Sequence, residues 1–145
     1  MLVKIILVLL ILIGLFLIVA SFQPNDFKIS RSTLVMAPVD KIFPQVNDLK
    51  AFDKWNPFME ADPQAKVTYE GPNSGIEMSS TWSGNNQIGA GKNTIVESRS
   101  NQLVGMRLDF ERPMKNTANV QFTLEPQAQG TLVTWNMIGD GGWFF

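Results

Sequence analysis

From residue 5 to residue 20 the chain carries no charge and no proline, only Ile, Leu, Val, Phe, Gly and Ala. No other feature restricts the fold as much. At about 1.5 Å of rise per residue, a helix over residues 5–22 reaches roughly 27 Å, close to the roughly 30 Å hydrocarbon core of a bilayer. Such a run could not stay soluble on a protein surface, whereas in lipid a helix satisfies its own backbone. Residues 1–22 therefore read as an N-terminal transmembrane anchor, with residues 2–22 in contact with the membrane. A cleaved signal peptide is the competing reading, with Lys4 in its basic region and Val19-Ala20-Ser21 as a poor cleavage site. The apolar run exceeds the roughly 7–15 residues usual for such a segment, which favours an uncleaved anchor. Lys4 is the only charge on the short side. Positive residues tend to stay inside, so the remainder is expected on the extracytoplasmic face, the periplasm in a Gram-negative cell.

Removing the anchor and a polar linker at residues 23–26 leaves roughly 120 of the 145 residues, enough for one compact domain. The anchor inflates the 45% hydrophobic content, and the rest is ordinary for a soluble β domain. Net charge is −1 and the basic residues are scattered. Nucleic acid would require a basic stripe and an anionic lipid patch would require a basic cluster, so neither partner is expected. The chain has no Cys and no His. Disulfides, thiolate chemistry, His acid–base catalysis and His metal ligation are thereby excluded. No acidic calcium-loop motif occurs, and neither a metal nor a cofactor is expected.

Residues 27–36 read as a strand. Pro38 then opens a helix in which Val39, Ile42, Phe43 and Val46 form a stripe and Asp40 lies in the favourable first turn. Pro44 keeps that helix short or kinked. Residues 48–55 read as a second short helix carrying Leu49 and Phe52, which Asn56-Pro57 stops. Six strands follow, at 66–70, 76–82, 88–97, 104–111, 118–125 and 131–138, joined by hairpin-length turns. Ile76, Met78, Ser80 and Trp82 are expected on one face. The cleanest two-residue period runs through Val104, Met106, Leu108 and Phe110, and Ala118, Val120, Phe122 and Leu124 repeat it. Gly139-Asp140-Gly141-Gly142 ends the last strand before Trp143-Phe144-Phe145. A strand, two short helices and six hairpin-linked strands make an α+β antiparallel meander with one apolar face.

An ordered series of short motifs carries a family likeness. Arg31-Ser32, Met36-Ala37-Pro38, Ile42-Phe43, Asn47-Asp48-Leu49 and Trp55-Asn56-Pro57-Phe58 come first. Tyr69-Glu70-Gly71-Pro72, Trp82-Ser83-Gly84 and Gly89-Ala90-Gly91 follow, then Leu108-Asp109-Phe110-Glu111-Arg112-Pro113 and the segment from Gly130-Thr131 to Asn136-Met137. The series resembles the START-like domains of the SRPBCC superfamily, the polyketide cyclase/dehydrase and lipid transport group, over residues 27–145. The resemblance implies the helix-grip fold, in which a curved antiparallel sheet wraps a long C-terminal helix around a cavity for hydrophobic molecules. Family members continue into that helix at a point corresponding to Gly139, and here six residues remain. The helix is therefore expected to be missing. A truncated chain, a partner chain supplying the helix, or the anchor itself folded back over the sheet would each account for this.

The resemblance makes Phe43, Trp55, Trp82, Met106, Leu108, Phe110, Phe122 and Trp135 the expected ligand-binding residues. Residue by residue, each also fits plain core packing. Trp55-Asn56-Pro57-Phe58 could equally gate a cavity mouth or plug a helix end. Among the charges, Arg107 and Asp109 fall on the outward face. Asp48 suits a helix cap, Glu97 has no defined partner, and no catalytic residue is assigned. The expected function is binding of a lipid or other hydrophobic small molecule at a membrane. The alternatives are a cyclase- or dehydratase-type enzyme and a structural or partner-binding domain.

Overall fold

The structure, a computed structural model, describes residues 2–22 and 26–140. Residues 23–25 of the expected 23–26 linker and the terminal segment with Trp143, Phe144 and Phe145 lie outside these, while Asp26 already belongs to the first strand. Helix α1 (Leu2–Ser21) has 20 residues, and none of its apolar length is buried against the rest of the chain. By length and composition it suffices to cross a bilayer, a property it shares with signal sequences.

Strand β1 (Asp26–Val35) is followed by α2 (Val39–Asn47), α3 (Leu49–Asp53) and α4 (Pro57–Glu60). Asp48 caps α3, its carboxylate accepting from the Lys50 amide at 2.9 Å. Asn56 does the same for α4, accepting from the Phe58 amide at 3.1 Å. Asn56-Pro57, expected only to end a helix, therefore also opens a further turn, since Asn and Pro suit the cap and first positions.

Six strands complete the chain: β2 (Lys66–Glu70), β3 (Ser79–Ser83), β4 (Ala90–Arg99), β5 (Leu103–Arg112), β6 (Asn116–Gln127) and β7 (Gly130–Asp140). All pair antiparallel in the order β1-β7-β6-β5-β4-β3-β2, a curved seven-stranded sheet. No helix follows β7 among the described residues.

Strand β3 starts three residues later than the alternation implies. Glu77 adopts φ +73°, which breaks the two-residue period and leaves Ile76 exposed. Pairing resumes across a bulge at Val96, where the Glu77 amide donates to the Ile95 carbonyl and the Ile95 amide to Met78.

Register aligns the concave face in rows. One row runs Val104, Phe122, Trp135, Arg31, and the next Ile95, Met106, Val120, Met137, Ile29. A third runs Tyr69, Ser80, Asn93, Leu108, Ala118, Gly139, Phe27, and a fourth Val67, Trp82, Gly91, Phe110, Asn116. Gly139 is glycine for a packing reason: an added Cβ would lie 2.7 Å from the Phe27 ring. Helix α2 packs on β5 and β6. Val46, Leu49, Met78, Ile95, Val104 and Leu124 form a core at that end of the sheet, none more than 4% exposed.

Candidate functional site

Beyond that core, the concave face and the three short helices enclose a cavity of about 800 Å³. This falls within the roughly 300–1,000 Å³ range of small-molecule sites. Trp55, Trp82, Met106, Leu108, Phe110, Phe122 and Trp135 all line it. Phe43 does not. Neighbouring helical residues point about 100° apart, so when Ile42 and Val46 of α2 face the cavity, Phe43 turns aside. It packs against the core instead.

Two aromatic groups shape the walls. Phe52 meets Trp55 edge-on with centroids 4.9 Å apart, and both contact Phe122, at 5.8 and 6.2 Å. Trp82 and Phe110 make a second edge-on pair at 5.8 Å. Both tryptophans of these groups have their N–H groups satisfied by backbone. Trp55 donates to the Gln45 carbonyl at 3.2 Å and Trp82 to the Ile88 carbonyl at 3.0 Å. Their rings are left as purely apolar walls. Gly91 makes room for Trp82, since a Cβ there would come within 2.7 Å of the indole.

The sequence reading missed several lining residues. Ile42, Val46, Phe52, Phe58 and Met59 come from the helices. Val120 and Met137 lie one row below Leu108, and the strand alternation already pointed to Val120. Arg31 and Lys41 also line the cavity, and the Arg31 guanidinium donates to the Ser30 carbonyl at 2.8 Å.

Three polar lining residues matter most, and none of the three was expected as a site residue. Asp53 accepts from the Tyr69 hydroxyl at 2.9 Å. Burial raises its pKa above the ordinary value, while hydrogen bonds from Tyr69 and Asn56 oppose the rise. Burial, reinforced by Asp53, pushes the Tyr69 phenol well above its usual range. Ser80 and Asn93 face each other across β3 and β4, 3% and 5% exposed. Asn93 Nδ2 contacts the Met106 sulfur at 3.5 Å, and its Oδ1 has no hydrogen-bond partner. A buried, unpaired amide oxygen costs about 1–3 kcal/mol. Ser80 was placed correctly on the Trp82 face; Asn93 becomes visible only through the register.

The charges considered for catalysis lie elsewhere. Arg107 and Asp109 pair on the outer face at 3.0 Å, and Glu97 pairs with Arg99 at 2.8 Å. Among the described residues no cluster of acidic side chains could hold a metal ion.

The family model for polyketide cyclase/dehydrase and lipid transport proteins matches residues 26–145. The chain belongs to this family. No protein of curated function matches it. Solved structures share the family fold at low identity. A Rhizobium leguminosarum protein superposes with a TM-score of 0.59 at 8% identity, over 81% of this chain and 80% of its own. Major latex-like protein 151 of Panax ginseng gives 0.56 at 12% identity, over 80% of each chain. The di-domain aromatase/cyclase StfQ of the steffimycin pathway gives 0.59 at 12% identity, over 80% of this chain and 37% of its own. At these identities the likeness establishes a common fold, one whose architecture suits ligand binding.

Proposed function

We propose that residues 27–140 bind a hydrophobic small molecule or lipid in the concave cavity, and that residues 2–22 hold the domain at a membrane, on its extracytoplasmic side. The observation that carries the binding reading is the cavity itself. It opens on the part of the concave face that the core leaves unfilled, and the N–H groups of Trp55 and Trp82 are already spent on backbone. A guest there meets carbon surface from Trp55, Trp82, Phe110 and Phe122 and gains stability by leaving water, at about 25 cal/mol per Å² of apolar area. The test is native mass spectrometry of the full chain after mild extraction, together with titration of 1-anilinonaphthalene-8-sulfonate. One co-purified apolar molecule, or saturable binding of one dye that quenches tryptophan emission, is expected. A folded protein with neither would overturn the reading. The membrane role predicts that the chain stays in the membrane pellet through alkaline carbonate extraction; release into the supernatant would count against it.

A second reading, a cyclase- or dehydratase-type enzyme, draws on Asp53. It is a cavity-lining carboxyl whose raised proton affinity suits an acid or base. Asp53→Asn would then abolish turnover of a bound polyketide-like substrate while dye binding survives.

A further inference from the structure

We propose that Asn93 and Ser80 form a hydroxyl-recognising subsite in the wall of the cavity, so that the guest is a neutral apolar alcohol or phenol. A pure hydrocarbon, an ether and a fatty-acid anion are all disfavoured. The inference rests on the binding reading above and adds the polar chemistry of the ligand.

Asn93 is only 5% exposed, yet its Oδ1 has no donor. Buried carboxamides are almost always satisfied, and one that is not calls for an explanation. Packing does not supply it. Along β4 the concave neighbours of Asn93 are Ile95 and Gly91, and across β5 it faces Leu108. A leucine would fit such surroundings without cost. The amide instead turns its Nδ2 toward the Met106 sulfur, a weak acceptor, and leaves the stronger acceptor Oδ1 without a donor and closed to water; a guest reaches it when the carboxamide turns, which gives up only the Met106 contact. Both Asn93 and Ser80 line the cavity.

The donor pattern then selects the guest. Oδ1 can only accept, so the group that satisfies it must carry a hydrogen. Ser80 is directly cross-strand from Asn93, with side chains starting about 5 Å apart. Its hydroxyl can donate to the same guest oxygen. An O–H donates to Asn93 and accepts from Ser80; a ketone or ether oxygen accepts only and leaves Oδ1 unpaired. A carboxylate brings acceptors only: at Asn93 it would repel Oδ1, and drawn instead to Arg31 or Lys41, which also line the cavity, it would leave Oδ1 unpaired.

The test uses three probes of one shape, 2-naphthol, 2-methoxynaphthalene and 2-naphthoate, at neutral pH. Each displaces 1-anilinonaphthalene-8-sulfonate from the full chain in phospholipid nanodiscs. The naphthol is expected to bind about tenfold more tightly than the ether, as one good hydrogen bond allows, and the naphthoate more weakly than both. Asn93→Leu should erase the preference for naphthol over the ether and keep or raise Tm without ligand. Ser80→Ala should reduce the preference in part. Equal, saturable binding of naphthol and ether to the parent protein would overturn the subsite while leaving the cavity reading intact. No displacement by any probe would overturn both. If Asn93→Leu fails to fold or lowers Tm, Asn93 belongs to the packing and the subsite is refuted.

Discussion

The two ends of the concave face are built from one alternating pattern and come out differently. Beneath α2 and α3, Leu49, Met78, Ile95, Val104 and Leu124 close into a solid core, with three of them fully buried at 0% exposure. Further along β5, Leu108 and Phe110 border the cavity, as do Trp135 and Met137 across the sheet on β7, and all four stay partly exposed. The difference lies in what crosses above. At one end α2 lays Val46 into the sheet and Leu49 follows from α3. At the other, Trp55 and Phe58 reach over from the α3–α4 corner, 43% and 64% exposed, without filling the space. Alternation builds an apolar surface, and only the helices decide whether it becomes core or container.

This contrast can be broken by mutation, and the largest effect is expected in the solid end. Leu49→Ala should cost about 2–5 kcal/mol in urea unfolding, because a tightly surrounded site collapses poorly around a lost side chain. A loss under about 1 kcal/mol would show that this end is as loose as the other. Gly91→Ala comes next. Its Cβ would sit 2.5 Å from the Asp109 carbonyl and 2.7 Å from the Trp82 ring. We expect a loss of about 1–3 kcal/mol and altered tryptophan emission, since the backbone has no room to yield. Leu108→Ala only widens a space already present. It should cost about 1 kcal/mol, the transfer of partly exposed methyl groups, while weakening dye binding more than Leu49→Ala does.

The smallest effect belongs to Asp53. Burial holds its carboxyl above the ordinary 3.8, so the folded state binds the proton more tightly than the unfolded chain. The stability this confers is present below the ordinary value and lost as pH rises through the raised one. Asn at this position does not titrate and can still accept from Tyr69. Asp53→Asn should therefore gain stability on the parent as pH rises from acid to neutral at this partly buried site. Thermal melts at the two ends of that range measure it; a gain that shrinks toward neutrality would reverse the assignment.

Much of this fold was legible in the residues. Six strands after a short helical segment, the two-residue period through Met106 and Phe110, and the cap at Asp48 all follow from local chemistry. The family likeness added the curved sheet and the cavity. Glu77 shows where local reading ends: it holds a positive φ beside Gly71, whose Cβ position lies 2.5 Å from the Glu77 carbonyl, a contact across six residues that alternation cannot encode. Phe43 shows a second limit, because a four-residue helical stripe covers more arc than one cavity wall needs. Asn93 shows the third. In β4 its neighbours are Lys92 and Thr94, and nothing in that run marks it as inward-facing until pairing sets it opposite Ser80 on β3 and, between two bulges, opposite Leu108 on β5.

The brevity of the connection between α1 and β1 carries its own consequence. Residues 22–25 alone intervene between Ser21 and Asp26, and a fully extended chain covers at most about 3.6 Å per residue, roughly 18 Å in all. If α1 lies in a bilayer, the sheet has a leash shorter than its own strands. It cannot shuttle between two membranes, and whatever it takes up must come to it along the lipid surface. Supply would then follow partitioning into that leaflet, with aqueous solubility of little account.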